Sequence, residues 1–475
     1  MLYINGEWIK TGSKGTLPVT NPATGEKIET VAYAGQEETR KAITAAEQAF
    51  EYWKKRTAKE RSAYLYQAAH YLRQRVDELA ETITREMGKP VREAKGETLL
   101  AIDYLEWYAE EAKRIYGDTI PASHADKRIL VIKEPVGVTA AVTPWNFPIA
   151  MITRKIAPAM AAGCTVVLKP ASATPLSAIN VFKAFDEVGL PPGVANLIIG
   201  TASEVVGEMT ANPKVRKITF TGSTEVGKQL LRQSADTVKK VSMELGGHAP
   251  FIVFNDADLD QAVEGAIASK FRNAGQTCIC TNRIYVQEDI ADVFGHKMAE
   301  KVKALKVGNG LEDQVDIGPL IDRFALEKVE DHVRDAVQKG ARILCGGETL
   351  VIADAKGYFY APTVLQGATE EMKIASEETF GPVAPIFTFK DEQEAIQKAN
   401  HDTYGLAAYC YTQNMKRAFQ MMEALEYGIV GINDPIPTTA QAPFGGVKES
   451  GIGREGGKYG IQEYLEDKFV SIKLD

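Results

Sequence analysis

The sequence predicts an α/β fold built from two doubly wound parallel-sheet units, and three observations support this. Short apolar runs recur from Val138 onward with helical segments between them; a second such series opens at Phe251; the stretch before both is largely helical. Strand, helix, strand at intervals of about 20–30 residues is the pattern of parallel strands joined by helical crossovers.

Taken in order, Tyr3-Ile-Asn-Gly-Glu-Trp-Ile9 has the alternation and the Asn5-Gly6 turn of a hairpin. From Glu37 to Arg85 the pattern is helical, with Ile43, Ala46, Phe50 and Trp53 on one face. A further helix is predicted from about Arg92 to Tyr116. Arg128–Lys133 is a β-rich run too short to be a domain. Strands are then predicted at Val138–Thr143, Thr165–Lys169, Asn196–Gly200, Lys217–Thr221 and Val241–Leu245, with helices at Ile149–Ala162, Pro175–Val188 and Thr224–Gln233. In such sheets ligands sit beyond the carboxyl ends of the strands. The second unit runs from Phe251–Phe254 through helices at Gln261–Phe271, Ala291–Val307 and 323–339. Its other strands are Arg283–Val286, 341–345, 383–389 and 406–411. A glycine-rich tail, Gly445–Gly460, precedes a last strand at Lys468–Lys473.

At 475 residues the chain is long enough for two or more domains with a large core. Hydrophobic residues at 45% and charged residues at 25% exclude a disordered or collagen-like chain. The 55 basic and 63 acidic side chains leave a net charge of −8, which does not suit a nucleic-acid binder. An anionic substrate would therefore have to be held by local cations. Five cysteines without framework spacing, and no signal sequence at Met1, predict a reduced, cytoplasmic protein. No apolar run is long enough to span a membrane, and the six scattered histidines predict no metal site.

Chemistry concentrates at a few positions. Cys278, in Asn273-Ala-Gly-Gln-Thr-Cys278, is flanked by small residues that leave its sulfur approachable, unlike Cys164, Cys345 and Cys410 in apolar or β surroundings. Glu244 closes a strand beside two glycines, where a carboxylate can act as a base. Asn146 lies between Pro144 and Pro148, which fix the backbone around an amide donor. Phe220-Thr-Gly-Ser-Thr-Glu-Val-Gly227 follows a strand and starts a helix, so its backbone N–H groups and the Ser223 hydroxyl suit a phosphate. Gly451-Ile-Gly-Arg-Glu-Gly456 has dinucleotide-fingerprint spacing but neither follows a clear strand nor opens a βαβ unit. Lys169 ends a strand, where a lysine can reach a ribose hydroxyl.

Together these segments resemble the aldehyde dehydrogenase superfamily over nearly the whole chain. The motifs are Pro144-Trp-Asn-Phe-Pro148, Phe220-Thr-Gly-Ser223, Glu244-Leu-Gly-Gly247, Gly275-Gln-Thr-Cys278, Glu378-Thr-Phe-Gly-Pro382 and Pro443-Phe-Gly-Gly446. The resemblance implies a cofactor-binding domain from 1–120 and 138–247, a catalytic domain from 248–445, and a small β oligomerisation element from 121–137 with 461–475. It implies Cys278 as nucleophile, Asn146 with the Cys278 N–H as oxyanion donors, and Glu244 as the base that activates the hydrolytic water. It assigns the cofactor to Trp145, Lys169, Ser172, Gly222, Ser223, Leu245, Glu378 and Phe380. Members that prefer NAD often carry a glutamate where Ser172 stands, so NADP use or dual NADP and NAD use is expected.

Within the family the chain is most similar to succinate-semialdehyde dehydrogenases. Arg154, eight residues after Asn146, and Arg272, six before Cys278, match the positions that clamp a distal carboxylate there, and Ser450 is matched to the clamp's hydroxyl. The expected substrate is a short aldehyde with a distal carboxylate, succinate semialdehyde first and glutarate semialdehyde second; a broad-specificity aldehyde dehydrogenase is the alternative. Cys280 either forms a strained, reversible redox switch with Cys278 or simply packs. A homodimer or homotetramer is expected. A non-catalytic protein of the same fold is disfavoured by the joint presence of Cys278, Glu244 and Asn146.

Overall fold

Strand Val138–Val142 is buried at every position, as the central strand of a sheet covered on both faces must be. The computed structural model describes residues 1–353 and 355–474. In it this strand lies within an eight-stranded sheet whose order is Glu7–Ile9, Leu2–Ile4, Ala195–Leu197, Thr165–Lys169, Val138–Val142, Val215–Thr221, Lys240–Glu244 and Gly451–Ile452. The five strands from Ala195–Leu197 to Lys240–Glu244 are parallel. Their chain order reverses between Val138–Val142 and Val215–Thr221, which is where open α/β sheets form a crevice. Register pairs Val142 with Lys169 and with Phe220, and Thr221 with Glu244. The carboxyl ends of four strands therefore stand level, and the loops leaving them carry the motif residues.

A second, seven-stranded sheet runs Arg342–Cys345, Thr363–Gln366, Val383–Phe389, Thr281–Gln287, Ala249–Val253, Ala407–Tyr411 and Ile429–Ile432. All its pairs are parallel except the edge pair of Arg342–Cys345 with Thr363–Gln366. Each sheet has its own apolar core. A third sheet pairs Lys127–Pro135 antiparallel with Leu465–Lys473 over nine residues, and Asp118–Ile120 adds to it. Ile132, Phe469 and Ile472 of this small sheet are exposed.

The N-terminal hairpin forms as predicted, with Asn5 at φ 52° and Gly6 at φ 81°, the two positive values that a type I′ turn needs. The predicted helical stretch from Glu37 to Arg85 is three helices, Gln36–Trp53, Ala58–Arg73 and Val76–Met87. The first break is written in the sequence: Thr57 and Glu60 form a capping box that starts a new helix. The predicted strand Asn196–Gly200 contracts to Ala195–Leu197, and the helix predicted to Val307 ends at Lys303. Strands Thr363–Gln366 and Ile429–Ile432 were not foreseen; both are too short to show a period. Gly451 begins no dinucleotide fold, because Gly451 and Ile452 form an edge strand antiparallel to Met243–Glu244. No helix among the described residues is long and apolar enough to cross a membrane.

Candidate active site

Cys278 lies where two approaches meet. A cleft of about 540 Å³ reaches it from the carboxyl ends of the first sheet, lined by Trp145, Asn146, Gly222, Ser223, Leu245, Glu378 and Phe380 among others. From the other side a cavity of about 30 Å³ holds Tyr104, Phe147, Met151, Arg154, Arg272, Thr438 and Phe444 against the same cysteine. That small cavity shares Leu100, Arg272 and Thr438 with an outer cavity of about 420 Å³. The sulfur is thus reached by one wide cleft and by a narrow funnel lined with arginine.

The loop that presents Cys278 follows helix Leu259–Phe271 and is forced by its backbone. Asn273 and Ala274 adopt positive φ, 52° and 55°, and Gly275 follows at φ 75° with its α-carbon against the Gly381 carbonyl. A side chain at Gly275 would meet that carbonyl, which explains glycine in the motif. Gln276 bolts the loop down: its Nε2 donates to the Asn273 carbonyl at 3.1 Å, and its Oε1 accepts from Ile321 N at 2.9 Å. Gly247, beside the Glu244 motif, packs directly on the Cys278 carbonyl, where a Cβ would not fit.

Burial pushes the Cys278 thiol up to about 12; Arg154 opposes this, and the carboxylates of Glu378 and Glu244 add to it. Asn146 is buried, and its Nδ2 donates to the Gln276 carbonyl at 3.1 Å, which leaves its second N–H free to face a developing oxyanion. Glu244 is buried, but its carboxyl does not line the cleft. It faces Gly445, with one oxygen unpartnered, and burial together with the nearby Glu455 charge holds it well above the usual carboxylate range.

On the cleft side, Ser223 caps helix Thr224–Ala235 and accepts from Val226 N at 3.4 Å. Its exposed hydroxyl and that helix N-terminus, approached over Gly222, form a cradle for phosphate oxygens. The hydroxyl of Thr221, buried and unpartnered, lines the same wall. Glu378 accepts from Gly247 N at 3.1 Å, and burial raises its carboxyl to about 7. The Phe380 ring stands edge-on to Trp145 at 5.7 Å. These features fit a dinucleotide. Lys169 and Ser172 lie beyond the residues that line the cleft. The Lys169 ammonium donates to the Pro170 carbonyl at 3.0 Å, and burial lowers it to about 8.

On the funnel side Arg154 and Arg272 come together as predicted spacing alone could not show. Arg154 Nε lies 2.5 Å from Glu455 Oε2, and its guanidinium sits 4.1 Å over the Phe444 ring. Arg272 lies 5.0 Å over the Phe147 ring. Ser450 is corrected: it lines none of these cavities, and its hydroxyl is committed to structure. It donates to the Gly246 carbonyl at 2.7 Å and accepts from Gly405 N at 2.9 Å. The funnel holds three buried, unpartnered hydroxyls, of Tyr104, Thr277 and Thr438, and that of Thr438 belongs to a residue lining both the funnel and the outer cavity. Sequence reasoning missed Thr438 because it sits in the irregular Pro435-Ile-Pro-Thr-Thr439 stretch. Cys280 is buried with its thiol against the Lys270 carbonyl at 3.4 Å, and it lines none of the three cavities. His248 packs, with a ring nitrogen 3.0 Å from the Ala375 carbonyl.

The aldehyde dehydrogenase family model matches residues 8–470. A glutarate-semialdehyde dehydrogenase of Pseudomonas putida is 56% identical over 472 residues, covering 99% of this chain and 97% of its own. A succinate-semialdehyde dehydrogenase (NADP+) of Escherichia coli is 55% identical over 471 residues, covering 99% and 97%. The crystal structure of an NADP-dependent enzyme of Escherichia coli superposes with a TM-score of 0.98 at 54% identity, covering 100% of this chain and 98% of that one.

Proposed function

The chain belongs to the aldehyde dehydrogenase family, and from that premise we propose that it oxidises succinate semialdehyde to succinate, with glutarate semialdehyde as the close alternative. It is an NAD(P)-dependent oxidoreductase. The observation that carries the substrate class is the funnel, in which two arginines and the unpartnered Thr438 hydroxyl converge on one side of Cys278. Two guanidiniums in an apolar cavity suit a carboxylate that a neutral aldehyde would not supply.

A nicotinamide cofactor in the cleft supplies the hydride acceptor. Trp145, Gly222, Ser223, Leu245, Glu378 and Phe380 would hold it, with Lys169 and Ser172 at the adenosine end; a serine there leaves room for a 2′-phosphate. Cys278 Sγ, as thiolate, forms a bond to the aldehyde carbon. The charge that develops on the aldehyde oxygen is met by the Asn146 amide and the Cys278 N–H. After the substrate carbon has lost its hydride, a thioester remains on Cys278. Glu244 then takes a proton from the water whose oxygen bonds to the thioester carbon; the carbon–sulfur bond breaks, releasing the carboxylic acid and regenerating the Cys278 thiolate. Because the Glu244 carboxyl faces Gly445 here, its action as base requires rotation about its side-chain bonds toward the sulfur.

The test is Glu244→Gln. It should release about one equivalent of reduced nicotinamide per active site and then stall, with an acyl adduct on Cys278 visible by mass spectrometry. Steady turnover at the wild-type rate would contradict the role given to Glu244.

The exposed apolar residues on the small antiparallel sheet suit pairing with other copies, as a homodimer or homotetramer.

A further inference from the structure

Lys89 and Glu97 form an ion pair whose side chains are both wholly buried, Nζ to Oε2 at 2.6 Å. Burial lowers the lysine, and Glu97 is its main counter-charge. So costly an arrangement calls for a reason. Its partners supply one. Lys89 Nζ also donates to the backbone carbonyl of Asn146 at 2.7 Å and lies 3.8 Å over the Phe147 ring. The other oxygen of Glu97 accepts from Ile149 N at 2.9 Å and from Ala150 N at 3.3 Å. Those are the first N–H groups of helix Ala150–Ala162, which has no side-chain cap of its own and carries Arg154.

One turn earlier on the same helix, Val91–Glu111, Glu93 Oε2 accepts from Asn273 N at 2.8 Å. Asn273 in turn donates through Nδ2 to the carbonyls of Asn146, at 3.0 Å, and of Gln276, at 3.1 Å. A single helix therefore holds both halves of the site. Glu97, through Lys89, fixes the Asn146 loop of the first sheet, and Glu93, through Asn273, fixes the Cys278 loop of the second.

We propose that Lys89 and Glu97 are positioning residues for oxyanion stabilisation, acting by locking the Asn146 main chain so that its side-chain amide keeps one place relative to Cys278. This rests on the reading of Asn146 as an oxyanion donor. A donor displaced by about 1 Å costs on the order of a hundredfold in rate.

The experiment is a double-mutant cycle on the full-length enzyme, with kcat, cofactor KM and thermal unfolding recorded for each variant. Asn146→Ala, Lys89→Met and Lys89→Met/Glu97→Gln are compared with wild type, and each Lys89 variant is repeated in the Asn146→Ala background. The double replacement leaves neither member of the Lys89–Glu97 pair charged and keeps an acceptor for Ile149 N, so it carries the test if Lys89→Met does not fold. The expected result is a loss of roughly 10- to 100-fold in kcat with cofactor KM unchanged, and little further loss once Asn146 is alanine. An equal loss in both backgrounds, or none in the wild-type background, overturns the positioning role alone. An unimpaired Asn146→Ala overturns the oxyanion reading and the positioning role with it.

Discussion

Asn146 Nδ2 donates to the Gln276 carbonyl at 3.1 Å, so the loop that ends one strand of the first sheet is hydrogen-bonded to the loop that presents Cys278. The two sheets have separate cores, and this bond lies at their seam. An amide held from both sides can face a developing charge without reorganising. Asn146→Ala should therefore lower kcat by about a hundred- to a thousandfold while leaving cofactor KM near its wild-type value. Steady-state kinetics with saturating cofactor checks this.

The thiol of Cys278 predicts a pH dependence. Only the thiolate alkylates, and burial raises the group to about 12, so the thiolate fraction in the cofactor-free enzyme grows as pH rises. Alkylation by iodoacetamide should accelerate roughly tenfold per pH unit from 8 to 11 without levelling. Glu378→Gln removes a nearby negative charge that disfavours the thiolate, so it should speed alkylation at any fixed pH in this range. A plateau near pH 9, as for an ordinary exposed cysteine, would contradict the burial.

Thr438 and Ser450 predict opposite outcomes. Thr438→Val removes one of the unpartnered hydroxyls in the funnel and should raise KM for a carboxylated aldehyde by about tenfold, with little change for a neutral one. Ser450→Ala leaves Gly405 N without its acceptor in a buried place. It should cost about 1–3 kcal/mol of stability without altering that discrimination. Denaturant unfolding and paired KM measurements separate the two.

Ser172→Glu should turn cofactor choice toward NAD, because a carboxylate at the end of the Thr165–Lys169 strand repels a 2′-phosphate. The ratio of kcat/KM for NADP to that for NAD should fall by about tenfold or more. An unchanged ratio would place cofactor selection elsewhere.

What the sequence revealed and what it hid have physical reasons. Cys278, Asn146, Glu244 and Ser223 stand at strand ends or in glycine- and proline-marked loops, and their neighbours advertise them. Arg154 and Arg272 were legible as residues, but that they share one cavity depends on a helix from each lobe. Thr438 was hidden, because nothing in an irregular stretch says which side chain turns inward, and Ser450 beside a recognisable motif drew the assignment instead. Lys89, Lys155, Lys217 and Arg283 are all buried, where composition alone would put such residues at the surface. Partners far away in the chain hold them in place: Lys89, besides pairing with Glu97, reaches Asn146, and Lys155 pairs with Glu455. No local period encodes such pairs.

Selection of a carboxylated aldehyde by the arginine-lined funnel at Cys278 is read out by kcat/KM for succinate semialdehyde and for a neutral aldehyde of similar length, each with NADP and with NAD, in wild type and in Arg272→Met. Wild type should prefer the carboxylated substrate strongly, and Arg272→Met should lose most of that preference while still oxidising the neutral aldehyde at the wild-type rate. Equal turnover of both aldehydes by wild type, unchanged in Arg272→Met, would contradict such selection and leave a broad aldehyde dehydrogenase.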